Sequence, residues 1–265
     1  MKFDDPGTVL PTCVERLGET AGRQFAGMAR RGFHLQRPSD GAGATGRCRL
    51  GGPALLDPGT SWPETGGYPY SLFAVLDTDA LAAWLGAELP IRPGLLNFFY
   101  FDPDVPYEVY RELDFAQGTG LVIPADPARA VEMQAPAPAR SFPSTPVHAA
   151  ETVMLPDCWD VEDGDIDYDR DAHWGATSVL LDRMDGLDGN TTNLHCAFGW
   201  PDTSYAVQVI ERDADGLPDV HLLQIPEDEE LGVNWGEGGT VYFTIPAKAF
   251  AQGDFTQADT QGHCC

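Results

Sequence analysis

The chain has 265 residues, with 16 Lys and Arg against 41 Asp and Glu, a formal net charge of −25. So acidic a chain excludes nucleic-acid binding by bulk charge, because phosphate affinity needs a basic face. It excludes anionic membrane surfaces on the same ground. Residues 1–50 carry eight basic and five acidic groups, +3, and residues 51–265 carry eight and thirty-six, −28. Such a surface is self-repelling and soluble, and it also suits a basic protein partner.

No stretch reaches the roughly 18 apolar residues of a membrane span. The N-terminal Met1-Lys2-Phe3-Asp4-Asp5-Pro6-Gly7 lacks an apolar signal core, so a cytoplasmic location is expected. Cys13, Cys48, Cys158, Cys196, Cys264 and Cys265 form no C-x-x-C pair. They read as reduced thiols, with the ends of the chain ordinary.

Residues 8–31 read as a helical region. Thr8 is placed to cap it, and Val14, Leu17, Ala21, Phe25 and Met28 recur at three- and four-residue steps. Arg16, Arg23, Arg30 and Arg31 would form its outer face. The run Gly41-Ala42-Gly43-Ala44-Thr45-Gly46 fits G-x-G-x-x-G, but no apolar strand precedes it and no helix follows, so no nucleotide site is assigned. A strand is expected over 71–76, then a short helix through Leu81, Trp84 and Leu85, capped by Asp77-Thr78-Asp79. Residues 95–101 form a continuous apolar strand. Residues 107–113 and 120–123 read as shorter strands. Residues 124–146 hold six prolines, so they should be an extended, mostly unpaired crossover. A strand follows over 147–155.

Residues 157–171 carry eight acidic residues and one basic, Arg170. An EF-hand loop from Asp165 would need Gly and Glu where Arg170 and Ala176 stand. The run is therefore read as a solvated loop, and no metal site is assigned.

The second half echoes the first. Gly51-Gly52-Pro53 and Gly199-Trp200-Pro201 share a G-x-P turn. Leu72-Phe73-Ala74-Val75-Leu76-Asp77 parallels Leu222-Leu223-Gln224-Ile225-Pro226-Glu227. Each half then reaches Leu81 or Leu231, a tryptophan (Trp84 or Trp235), and a glycine opening an aromatic strand, at Gly94 and Gly239. The expected fold is α+β and internally duplicated: two related, mainly antiparallel sheets with short helices in one globular unit. The organisation expected is an N-terminal helical region and loop over 1–49 and one domain over 50–265. Within that domain the halves lie at about 50–123 and 147–265, joined by the crossover at 124–146.

These residues resemble the YwqG-like family, a bacterial domain of unknown function. The early pattern is carried by Gly51, Gly52, Leu56, Gly59, Trp62 and Pro63, with Pro53 one place early and Asp57 in place of a proline. The late pattern is Phe198-Gly199-Trp200-Pro201-Asp202 with Gln208. It continues through Leu222-Leu223-Gln224-Ile225, Trp235-Gly236-Glu237-Gly238-Gly239, Val241-Tyr242-Phe243-Thr244-Ile245 and Phe250-Ala251-Gln252-Gly253-Asp254-Phe255. The resemblance covers roughly residues 50–256. It implies a cytoplasmic α+β protein with no established reaction, and it hints at partner binding or immunity.

Chemistry is thinly marked. No G-x-S-x-G, P-loop or H-E-x-x-H motif occurs. His195-Cys196 with His221 or His173 could make a zinc or Cys–His site, but half-buried strand residues are the plainer reading. No catalytic residue and no cofactor are assigned. The candidate binding residues are Trp62, Trp200, Asp202, Gln224, Trp235 and Glu237. The tryptophans either pin turns onto the sheets or, with Gln224, line a cleft that grips a partner loop. The expectation is a non-enzymatic interaction protein, of immunity type, recognising a basic protein. The alternative is a hydrolase or small-ligand protein with a cleft between the halves.

Overall fold

The computed structural model describes residues 2–39, 42–101, 107–115, 118–157, 160–162, 164–167, 194–202, 208–236 and 238–263. Glu237, His173, Cys158, Cys264, Cys265 and much of the acidic run 157–171 lie outside them.

In chain order the elements begin with β1 (Lys2–Phe3), α1 (Pro6–Leu17), α2 (Glu19–Gly27) and β2 (Arg30–Gln36). β3 (Arg49–Leu50), β4 (Ala54–Leu56), β5 (Glu64–Thr65), β6 (Tyr68–Pro69) and β7 (Ser71–Asp77) follow. Next come α3 (Thr78–Leu85), β8 (Leu95–Tyr100), α4 (Tyr107–Tyr110), β9 (Gly120–Ala125) and β10 (Val131–Met133). The series ends with β11 (Thr145–Pro146), β12 (His148–Met154), β13 (Cys196–Phe198), β14 (Val220–Pro226), β15 (Thr240–Ile245), a helix at Ala247–Gln252 and β16 (Asp259–His263).

Two antiparallel sheets dominate. The larger has seven strands in the order β1-β12-β2-β13-β14-β15-β16, and the smaller has five in the order β11-β3-β7-β8-β9. Their inner faces share one core. Phe33, Leu35, Leu223, Ile225, Val241 and Phe243 of the large sheet meet Phe73, Leu76, Leu96 and Phe98 of the small one. Alternation explains the assignment: Leu96 and Phe98 point inward, while Leu95 and Phe99 point to a second cluster with Leu55, Leu56 and Tyr70. Each such side chain contributes roughly 1.5–3 kcal/mol by leaving water.

The expected helix over 8–31 is two helices and the start of a strand. Asp5, not Thr8, caps α1 by accepting from Gly7 N at 2.8 Å, and Pro6 opens the helix. Gly18, at φ +83°, ends it. α2 packs back on α1 where Gly22 presses against the Cys13 and Val14 backbone. Arg30 and Arg31 then belong to β2, because Phe33 and Leu35 alternate into the core beyond them. β2 lies between β12 and β13. The N-terminal segment is thereby woven into the same sheet as β13 to β16.

The strands expected near 71–76, 95–101, 120–123 and 147–155 form within a residue or two of those bounds. Asp77 caps α3 by accepting from Ala80 N. Residues 107–113, expected as a strand, begin instead with the single turn of α4. Tyr110 and Leu113, three apart, both join the cluster around Phe99 and Phe101, a helical rather than alternating spacing. The proline-rich crossover is more paired than expected. β10 pairs with β4, and β11 supplies the edge of the small sheet, where Pro146 sacrifices little.

The strand neighbours β3-β7-β8-β9 and β13-β14-β15-β16 run in the same order in the two sheets. β7 and β14 each carry a register shift, at Leu72/Ala74 and His221/Leu223. After β7, Asp77 accepts from Ala80 N, and after β14, Asp228 accepts from Leu231 N. Among the described residues no helix is long and apolar enough to cross a membrane.

Candidate functional site

The turn after β13 is built under constraint. Phe198 ends the strand at φ +57°, the only non-glycine residue at positive φ among those described, a conformation that costs free energy and needs a reason. Gly199 follows at φ +69°, where a Cβ would sit 2.6 Å from Met154 Sδ. Gly32 passes so close that its own Cβ would meet Phe198 O at 2.8 Å.

Trp200 is buried next. Its Nε1 donates to Met28 O at 2.7 Å, and the Arg30 guanidinium lies 3.7 Å from its ring centroid. Arg30 also donates to Asp219 O at 3.0 Å. Burial lowers the Arg30 pKa to about 10, against the pull of Glu88, Asp160 and Asp219. Gln224 holds the far end of the turn. Its Oε1 accepts from Asp202 N at 2.8 Å while its Nε2 donates to Leu194 O at 3.2 Å. Tyr242 Oη donates to Asp202 O at 2.9 Å. Trp200, Asp202 and Gln224 therefore do come together, joined by Arg30 and Tyr242, and their polar groups tie the turn to β2, β14 and β15. Beside this turn is a cavity of about 250 Å³ lined by Arg30, Glu88, Phe198, Leu217 and Val220.

The other two candidate tryptophans lie elsewhere. Trp62 packs edge-on against Phe99 at 5.1 Å on the outer face of the small sheet and donates to Tyr70 O. Trp235 sits between the sheets, 5.1 Å from Phe73 and 5.3 Å from Tyr100, and donates to Ile225 O. No single cleft collects Trp62, Trp200 and Gln224. Glu237 lies outside the described residues.

His195 immediately precedes β13, which Cys196 opens. His195 Nε2 meets Asp228 Oδ2 at 2.9 Å, and Arg37 and the Leu231 amide complete the shell of Asp228. The His195 hydrogen bond holds the Asp228 carboxyl well below the usual range against its own burial, with help from Leu231 N and Arg37. Cys196 Sγ donates to Leu194 O, and His221 Nδ1 lies 3.1 Å from Phe198 O. Among the described residues no three His, Cys, Asp or Glu side chains form a group able to hold a metal ion.

Charge gathers at one end of the large sheet. Asp219 is pushed up to about 6, first by burial and then by Glu211, Asp259 and Asp213. Lys248 pairs with Asp213 and Asp215, and Arg212 is taken by Glu162 and Asp165. Sequence reasoning missed Arg30, Tyr242, Asp219 and Asp228. Tyr242 could have been found, since it falls three residues after Gly239 in the late pattern.

These features define an α+β protein of two antiparallel sheets on a common core, with hydrogen-bonded tryptophan turns and an acidic surface. The chain belongs to the family described as a domain of unknown function (DUF1963), whose model matches residues 48–264. No curated protein matches the chain.

Proposed function

We propose that this is a non-enzymatic, cytoplasmic interaction protein that recognises a basic protein partner, in the manner of an immunity protein, and that its two sheets descend from a duplicated unit. The observation that carries the reading is the carboxylate excess over residues 51–265. Within it, Glu211, Asp259 and Asp213 lie near enough to Asp219 to raise its pKa. Such a field speeds encounter with a cationic surface and penalises acidic competitors. The packing between the sheets supports binding over catalysis: Trp235, Phe73, Phe98 and Phe243 fill the space where a cleft between halves would lie. The matching strand orders, and the contact between Phe98 and Phe243 at corresponding places in β8 and β15, support the duplication.

The test is fluorescence anisotropy with a labelled arginine-rich peptide at low and physiological salt. A triple variant, Glu211→Gln, Asp219→Asn and Asp259→Asn, is compared with a control triple, Glu15→Gln, Glu64→Gln and Glu112→Gln. The first triple should weaken binding about tenfold more than the second. Equal losses would mean bulk charge alone and would reject a partner face.

A further inference from the structure

Several cations among the described residues are matched by carboxylates. Arg23 pairs with Glu19, Arg37 with Asp228 and Glu230, Arg129 with Asp57 and Asp126, and Arg212 with Glu162 and Asp165. Arg47 and Arg49 differ. Both line one cleft of about 530 Å³, together with Leu55, Ala130, Glu132 and Ser144. Among the described residues no carboxylate lies within ion-pair distance of either guanidinium. Arg47 Nη1 donates to Pro127 O at 2.9 Å and Arg49 Nη2 donates to Pro53 O. The nearby Asp77 carboxylate is spent on backbone, accepting from Arg47 N and Ala80 N. Arg49 Nε is buried without a hydrogen bond. Arg47 repels the Arg49 guanidinium, and Glu132 opposes that repulsion.

The backbone leaves room for Arg49 beside Ser144. Gly52, at φ +76°, lets Ser144 and Arg49 crowd in: a Cβ would fall 2.8 Å from Ser144 Oγ and 3.2 Å from Arg49 Nε. On a chain with 41 acidic residues, two arginines of one cleft whose guanidinium groups form no ion pair leave a local need for negative charge. Each keeps guanidinium donors beyond the one given to a carbonyl, and the guanidinium fork suits the oxygens of a phosphate.

We propose that this cleft binds the phosphate group of a small organic phosphate. Arg47 and Arg49 share the oxyanion, Ser144 donates its hydroxyl, Glu132 accepts from a ligand hydroxyl, and Leu55 and Ala130 cover the carbon body. The site stands on different residues from the acidic face, so either can fail without the other.

Isothermal titration calorimetry on the full chain, at constant ionic strength, tests this with inorganic phosphate, glycerol phosphate and sodium chloride. Saturable binding of both phosphates is expected, tighter for glycerol phosphate, with none for chloride. Arg47→Gln, at an exposed position, should weaken binding about tenfold, a change of about 1.4 kcal/mol. Arg129→Gln, outside the cleft, should leave it unchanged. Arg49→Gln should act like Arg47→Gln, and if it fails to fold Arg47→Gln alone decides. No saturable phosphate binding, or binding indifferent to Arg47→Gln, overturns the proposal. Inorganic phosphate binding more tightly than glycerol phosphate overturns the organic ligand.

Discussion

Phe98 of β8 and Phe243 of β15 meet edge to face, centroids 5.2 Å apart and planes at 82°. Both are fully buried. Each is the fourth residue after the glycine that opens its strand, Gly94 or Gly239, so the sheets touch through corresponding positions. A double-mutant cycle with Phe98→Leu and Phe243→Leu, read by urea unfolding, should give a coupling of about 0.5–1.5 kcal/mol. Strict additivity would show that the rings stabilise the protein only through separate burial.

Trp200 joins β13 to the segment leading into β2. Trp200→Phe keeps most of the apolar body but leaves Met28 O without its indole donor. It also weakens the platform under Arg30. The variant should lose about 1–3 kcal/mol of unfolding free energy. A loss below a few tenths of a kcal/mol, in the same urea titration, would show that the indole N–H is not what holds this turn.

Asp160 gives a pH test. Burial, with Asp157 adding to it, raises its pKa to about 7, while Ile210 N and Arg30 pull the other way. A carboxyl whose folded pKa exceeds its unfolded value binds its proton more tightly when folded. Its ionisation therefore opposes folding, and stability falls as pH rises from about 4 to about 7. The slope from this group is at most about 1.4 kcal/mol per pH unit. Asp160→Asn should remove it, so the variant should gain on the parent protein steadily across that window. Unfolding curves whose separation is the same at both ends of the window would contradict this.

Two glycines of α2 should respond in opposite directions. A Cβ at Gly22 would lie 2.6 Å from Cys13 O and from Val14 Cα, backbone atoms that cannot turn aside. Gly22→Ala should cost about 1–3 kcal/mol by forcing α1 and α2 apart. At Gly27 the same Cβ meets open space. Gly27→Ala should stabilise by about 0.4–1 kcal/mol by lowering the entropy of the unfolded chain. Thermal unfolding of the two single variants checks both signs.

What the sequence alone determined here is local. The cap at Asp77, the alternation in β7, β8, β14 and β15, and the glycine openings were legible because each depends on residues within a few positions of one another. The fold class and the antiparallel strands followed from them. The end of the helical region was misread because Arg30 and Arg31 satisfy a helical spacing as readily as a strand, and the choice fell to Phe33 and Leu35 finding the core. Among the candidate site residues, Trp200, Asp202 and Gln224 lie together at the turn after β13. Their partners Met28, Arg30 and Tyr242 come from segments 40 to 172 positions away, and no spacing rule reaches that far. The tertiary structure also decided which charges are matched. Asp228 pairs with Arg37 and hydrogen-bonds His195, while the Arg47 and Arg49 guanidinium groups hydrogen-bond carbonyls, because ion pairing depends on distance in space, which folding sets and chain order does not.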